Sequence, residues 1–222
     1  MPTDRGYLPC PELTALLLPA YKCRHFDGGC AGAAVWDPDR GFVPRGFIGA
    51  LGRLDDVKLV LLLAEPGNGL PGESHPFAGE PRDFLNELCR YVFDQFEAGS
   101  SLFHKNVRYI LDRCWPGLTL RRQLERTWIT ESYLCSAPYA TAPVLRRSER
   151  TCAESYLAPQ LDLLRDRVIV ALGGKADSRT ARLPGIRVHR AFAVGPPGCN
   201  HRGARPTWDR IPTLLRERYG SS

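Results

Sequence analysis

The stretch Val57-Lys58-Leu59-Val60-Leu61-Leu62-Leu63-Ala64 constrains this chain more than any other, because its apolar residues do not alternate with polar ones. A strand with one wet face alternates, so a run that is apolar throughout is the mark of a strand buried on both faces of a parallel sheet. Three more β-branched or aromatic runs, Thr127 to Leu134, Arg167 to Leu172 and Ile186 to Val194, are strand length and end in turns or polar clusters. Between the runs lie helical periods. Phe84, Leu85, Leu88, Val92 and Phe96 recur at three and four residues and predict a helix from about Arg82 to Phe96. Cys152, Tyr156, Leu157, Leu161 and Leu164 form a second stripe, with Thr151 and Glu154 in the pattern of a capping box near its start. Strands alternating with helices predict crossover connections and an α/β fold: a three-layer α/β/α sandwich around a central, mostly parallel four-stranded sheet.

A chain of 222 residues is long enough to bury a core without covalent staples. Residues 1–50 are rich in Pro, Gly and Cys, with Gly28-Gly29-Cys30 and Pro44-Arg45-Gly46 as turn signals, and read as an irregular extension packed on a domain spanning 51–222. No apolar run is long enough to cross a membrane, and Met1-Pro2-Thr3-Asp4-Arg5 lacks the features of a signal peptide, so a soluble, cytoplasmic, monomeric protein is expected. In a reducing compartment, its eight cysteines point to buried thiols or metal ligation rather than disulfides. The net charge is +6, and residues 182–218 hold eight arginines against Asp209 and Glu217. Such a surplus suits a phosphate-binding face, although arginine-heavy composition alone would also produce it.

Ligands of open α/β sheets bind beyond the carboxyl ends of the strands, so the residues after each run carry the functional signal. They are Ala64-Glu65-Pro66-Gly67, Pro76-Phe77-Ala78-Gly79, Thr130-Glu131 with Cys135, the stretch from Cys152 to Leu161, Val168 to Ala176, and Pro196-Pro197-Gly198 with Asn200, His201 and Arg202. In order and spacing these resemble the motifs of the uracil-DNA glycosylase superfamily, closest to its iron-sulfur branch, family 4, over about residues 57 to 208. The most specific part is 152 to 176.

The resemblance implies a DNA-repair glycosylase that hydrolyses the N-glycosidic bond of a uracil-like or otherwise damaged, flipped-out base. Such an enzyme must stack the everted base on an aromatic ring and read its edge by hydrogen bonds. Phe77 takes the stacking position, while Gly67, Glu131 and Asn200 are placed around the base. Bond cleavage builds positive charge on the sugar, and a carboxylate there stabilises it and orients water; Glu65 takes that role. Arg202 and Arg205 are placed to contact DNA.

Two departures bear on the substrate. Glu131 stands where the family has a base-reading asparagine: an ionised carboxylate only accepts hydrogen bonds, whereas an amide also donates, so it would suit two adjacent donors, as on a guanine-type edge, or a cationic base; a buried acid of raised pKa and a surface residue with no role are the other readings. The family's last motif opens with a histidine, but Pro196 occupies that position, leaving His201 five residues on as the candidate catalytic histidine or a phosphate contact. The family's [4Fe-4S] cluster maps onto Cys23, Cys30, Cys135 and Cys152, although six residues separate the first pair where the family has two. Cys10 is an alternative ligand, and four ordinary buried thiols the alternative to a cluster. A glycosylase fold that binds DNA but has weakened or lost its chemistry is the competing expectation.

Overall fold

The computed structural model describes residues 6–67, 73–75, 80–136 and 144–220. The fold is α/β, built on a mixed sheet of five strands: β1 (Ile48–Gly49), β2 (Leu59–Leu63), β3 (Thr127–Glu131), β4 (Val168–Leu172) and β5 (Val188–Ala191), in the order β1-β3-β2-β4-β5. The last four are mutually parallel, and β1 runs antiparallel to β3. The four-stranded expectation is thereby corrected. The added strand is only two residues long, too short to leave a periodic signal, and it comes from the segment expected to be irregular throughout. That segment also holds helix α1 (Pro11–Leu17).

Strand β2 lies between β3 and β4, and each of its five residues is buried, as a run without alternation requires. Its side chains divide between two cores. Val60 and Leu62 join Trp128, Ile169 and Ala171 on one face. Leu59, Leu61 and Leu63 join Ile129, Val168, Val170 and Leu172 on the other. Burial of each leucine contributes roughly 1.5–3 kcal/mol, so this strand is the hydrophobic anchor of both cores.

Helix α2 (Pro81–Ala98) covers the stripe read from the sequence and feeds both cores, with Phe84, Leu85 and Leu88 on one side and Phe93 and Phe96 on the other. Helices α3 (Leu102–Cys114) and α4 (Leu120–Glu125) pack on the second core. Helix α5 (Arg146–Cys152) runs through a π turn over Ala153–Leu157 into α6 (Ala158–Leu163), against the first core. Pro159 has no N–H to continue the α ladder, a physical reason for the widened turn before it. Because α5 begins at Arg146, Thr151 lies inside a helix and caps nothing, which corrects the capping-box expectation. Helix α7 (Gly174–Thr180) follows β4, and α8 (Ala204–Asp209) and α9 (Ile211–Tyr219) complete the chain on the second core.

Candidate functional site

In the order β3-β2-β4-β5, the chain leaves β2 first to one neighbour and later to the other, so the topological switch point lies between β2 and β4. A crevice outside the carboxyl ends of the strands is expected there. Glu65 lies two residues beyond β2, and Glu131 is the last residue of β3, in register with Leu63. Pairing continues past the strands, with the Ser132 N–H donating to Leu63 O at 2.8 Å and the Tyr133 N–H to Ala64 O at 3.1 Å. Two glutamates thus stand on adjacent strand ends.

Glu65 is held from across the switch point by α7. Lys175 Nζ donates to its Oε1, and Arg179 Nη1 lies 2.7 Å from Oε2. Gly173 makes this approach possible: at φ 112° it turns β4 sharply into α7, and a Cβ there would lie 3.0 Å from the Ala193 methyl. Arg179 is buried and uses its donors widely: Nε and Nη2 bind Glu149 Oε1 at 3.0 and 2.8 Å, and Nη1 reaches Ala64 O at 2.6 Å and Ser132 Oγ at 3.0 Å. Burial pushes the Glu65 carboxyl up, but Lys175 and Arg179 outweigh it and hold the group below its ordinary value, so it is ionised at neutral pH.

Glu131 has the opposite environment. Its residue is only 5 % exposed, and Oε2 is buried with no hydrogen-bond partner among the described residues. Burial and the adjacent Glu65 charge raise its pKa well above the ordinary carboxylate value, with Arg179 and Arg45 opposing. Gly46 closes against the side chain: at φ 86°, a Cβ on it would lie 2.3 Å from Glu131 Cγ. Arg45 is buried beside it but committed elsewhere, pairing with Glu73 Oε1 at 3.2 Å and donating to the carbonyls of Gly41 and Gly67. His75 Nε2 shares the same Glu73 oxygen at 2.8 Å. Gly67 O also accepts from Ser136 Oγ at 2.7 Å, so the Glu65 loop is tied to both flanking segments.

The other expected site residues are placed less centrally. Phe77 lies outside the described residues. His201 stacks on Phe192 at 4.5 Å and accepts from the Gly203 N–H through Nδ1 at 3.0 Å, and among the described residues it makes no hydrogen bond to Glu65 or Glu131. The structure therefore does not join it to the carboxylates, and the reason is local: the aromatic neighbour and the turn already occupy its ring. Asn200 is exposed beside Cys199 in a short 3-10 turn. Arg202 is exposed, and Arg205 packs over the Tyr109 ring at 3.9 Å.

No protein-family model and no curated protein matches the chain.

The four expected ligand cysteines come together. Cys23, Cys30, Cys135 and Cys152 line one cavity with His25, Tyr133 and Tyr156. The six residues between Cys23 and Cys30 fold back through successive turns, with the Phe26 N–H donating to Cys23 O and the Cys30 N–H to His25 O. Helix α5 pins this loop through Ser148 Oγ to Gly29 O at 3.2 Å and Arg147 Nη2 to Ala31 O at 2.9 Å. Cys152 Sγ accepts from the Leu134 N–H at 3.4 Å, and Cys23 Sγ from the Tyr156 hydroxyl at 3.0 Å. Burial pushes the Cys152 thiol up to about 12 and raises Cys135 well above its ordinary value, so without a metal these thiols stay protonated. Cys10 lies at the start of α1 and does not line the cavity, which removes it as a substitute. Among the described residues no three His, Cys, Asp or Glu side chains are grouped to hold a single metal ion.

Sequence reasoning missed Arg45, Gly46, Glu149 and Arg179. Gly46 carried a signal as part of a turn, and Lys175 as part of Gly173-Gly174-Lys175. The arginines carried none, since a buried guanidinium looks like a surface one in sequence.

Proposed function

We propose that the chain is a DNA-repair glycosylase of the three-layer α/β/α kind that hydrolyses the N-glycosidic bond of a uracil-like or damaged base flipped out of DNA. The observation that carries this reading is the pair of carboxylates on the adjacent ends of β2 and β3, one clasped by Lys175 and Arg179 and the other buried with an unpartnered oxygen. In hydrolysis the C1′–N bond breaks, its electron pair leaves with the base, water oxygen bonds to C1′, and a proton released from that water ends on the base. Ionised Glu65 would stabilise the positive sugar and orient the water. Arg179 fixes that carboxylate from below, while Lys175, whose side chain is 68 % exposed, sits at the rim where a substrate can displace it.

Glu131 answers the objection raised by its replacement of an amide. A neutral carboxylic acid presents a hydroxyl donor beside a carbonyl acceptor, the same pair an asparagine side chain offers. It can then meet a base edge carrying an N–H next to a carbonyl, which a carboxylate cannot.

The cysteine cavity fits a [4Fe-4S] cluster: four cysteines are the ligand set such a cluster takes, two of them accept hydrogen bonds, and a multi-atom cluster asks for thiolates more widely spaced than a single ion does. Cys23, Cys30, Cys135 and Cys152 would hold it, and it would cross-link the N-terminal segment to β3 and α5.

The test is a panel of single- and double-stranded oligonucleotides bearing uracil, hypoxanthine, xanthine or alkylated bases. Abasic product is expected from at least one, with Glu65→Gln losing about 10²-fold or more of that rate. No abasic product from any of them overturns the reading. One observation favours the alternative of a DNA-binding protein without turnover: both Glu65 oxygens face cations, and His201 is engaged elsewhere. It predicts salt-dependent binding and an empty panel.

A further inference from the structure

Arg146, Arg147 and Arg150 of α5 and Arg182, two residues beyond α7, line a single open concavity. All four are exposed. Some surface arginines elsewhere pair with carboxylates, as Arg113 with Asp209, Arg122 with Glu125 and Arg165 with Asp162, whereas Arg202 and Arg205 stand apart from one another on a loop and a helix. None of the four lining the concavity has a carboxylate partner among the described residues; Arg147 donates only to the carbonyl of Ala31. Four guanidinium groups facing one space with no counter-charge repel one another, and an anion removes that cost. The concavity is mechanically joined to the Glu65 site, because α7 supplies Arg179, which holds Glu65, and α5 supplies Glu149, which holds Arg179.

We propose that this concavity binds backbone phosphates of a nucleic acid, anchoring the strand whose base enters the crevice. The inference deepens the glycosylase reading by naming where the polyanion lies. Planar guanidiniums bind phosphate oxygens in pairs, and contacts of this kind position a strand without reading its sequence.

Lesion-free single- and double-stranded oligonucleotides, titrated against the full chain over a salt series, supply the test. Arg146→Ala/Arg150→Ala/Arg182→Ala should lower the slope of log affinity against log salt by about 2 to 3, since each phosphate contact contributes about 0.7–0.9. Arg147 is left in place to keep its bond to Ala31. The triple lysine variant should recover most of the slope, and Arg122→Ala/Arg165→Ala should leave it unchanged. An unchanged slope in the triple alanine variant, or saturation of the concavity by millimolar inorganic phosphate with no effect on DNA binding, overturns the proposal. A lowered slope alongside an empty base panel would leave the phosphate site standing and remove the glycosylase; excision with an unchanged slope would do the reverse.

Discussion

Glu65 and Glu131 stand side by side on the ends of neighbouring parallel strands, yet among the described residues only Glu65 forms ion pairs, while Glu131 is buried without one. Each then reinforces the other's state. The negative charge fixed on Glu65 makes a second charge on Glu131 costlier, and a neutral Glu131 leaves the two strand ends with one ionised carboxylate.

This asymmetry has a pH signature. Below the ordinary carboxyl value of 4.5 both the folded and unfolded chains carry the Glu131 proton, and its contribution to stability is fully present. As pH rises past that value the unfolded chain ionises first, the native state binds more protons, and stability falls until native Glu131 itself ionises. Glu131→Gln has no proton to lose. Urea unfolding of both proteins at about pH 5 and about pH 8 should show the variant gaining on wild type as pH rises. Glu65, lowered rather than raised, titrates in both proteins and cancels from the difference. Parallel pH profiles would show Glu131 ionised in the fold.

Arg179 should be among the least replaceable residues. Arg179→Met leaves Glu65 and Glu149 without the guanidinium that braces them, and removal of one partner of a buried ion pair costs about 3–5 kcal/mol. Arg179→Lys should recover little, because one ammonium cannot reach Glu65, Glu149, Ala64 O and Ser132 Oγ together. Denaturant midpoints read both.

Gly46→Ala combines a left-handed backbone with a collision against Glu131, and its destabilisation should exceed the ~1 kcal/mol of the backbone effect alone. A double-mutant cycle separates the two. In a Glu131→Ala background the collision is gone, and the cost should fall toward the backbone part.

Iron and sulfide analysis with an absorption spectrum of protein reconstituted under reducing, anaerobic conditions tests the cysteine cavity. Loading is expected for wild type and for Cys199→Ser, and loss of it for Cys135→Ser and Cys152→Ser. Equal loading in all four would place any iron elsewhere.

What the sequence made legible follows from which forces leave a periodic trace. The four long strands did so as short apolar or β-branched runs, unbroken by polar residues where both faces are buried, and α2 because burial of one helix face repeats at 3.6 residues. Helix α3 carries the same kind of trace in Phe103, Val107, Ile110 and Leu111. Strand β1 is held instead by pairing with Ile129 and Trp128, a non-local bond that two residues cannot announce. At the site, strand-end position together with the family resemblance pointed to Glu65 and Glu131, and the resemblance to the four cysteines. The charge state of Glu131 depends on Gly46, Arg45 and Arg179, which come from distant parts of the chain and meet only after folding.

Residues 1–50 supply Cys23 and Cys30 to one cavity wall, Arg45 and Gly46 to the surroundings of Glu131, and the outermost strand of the sheet. The segment is therefore no detachable appendage. A fragment starting at residue 51 would open the flank of β3 to solvent and strip Glu131 of its cover, so a shortened protein designed around the visible α/β repeat would lose the acid's unusual setting along with the missing strand.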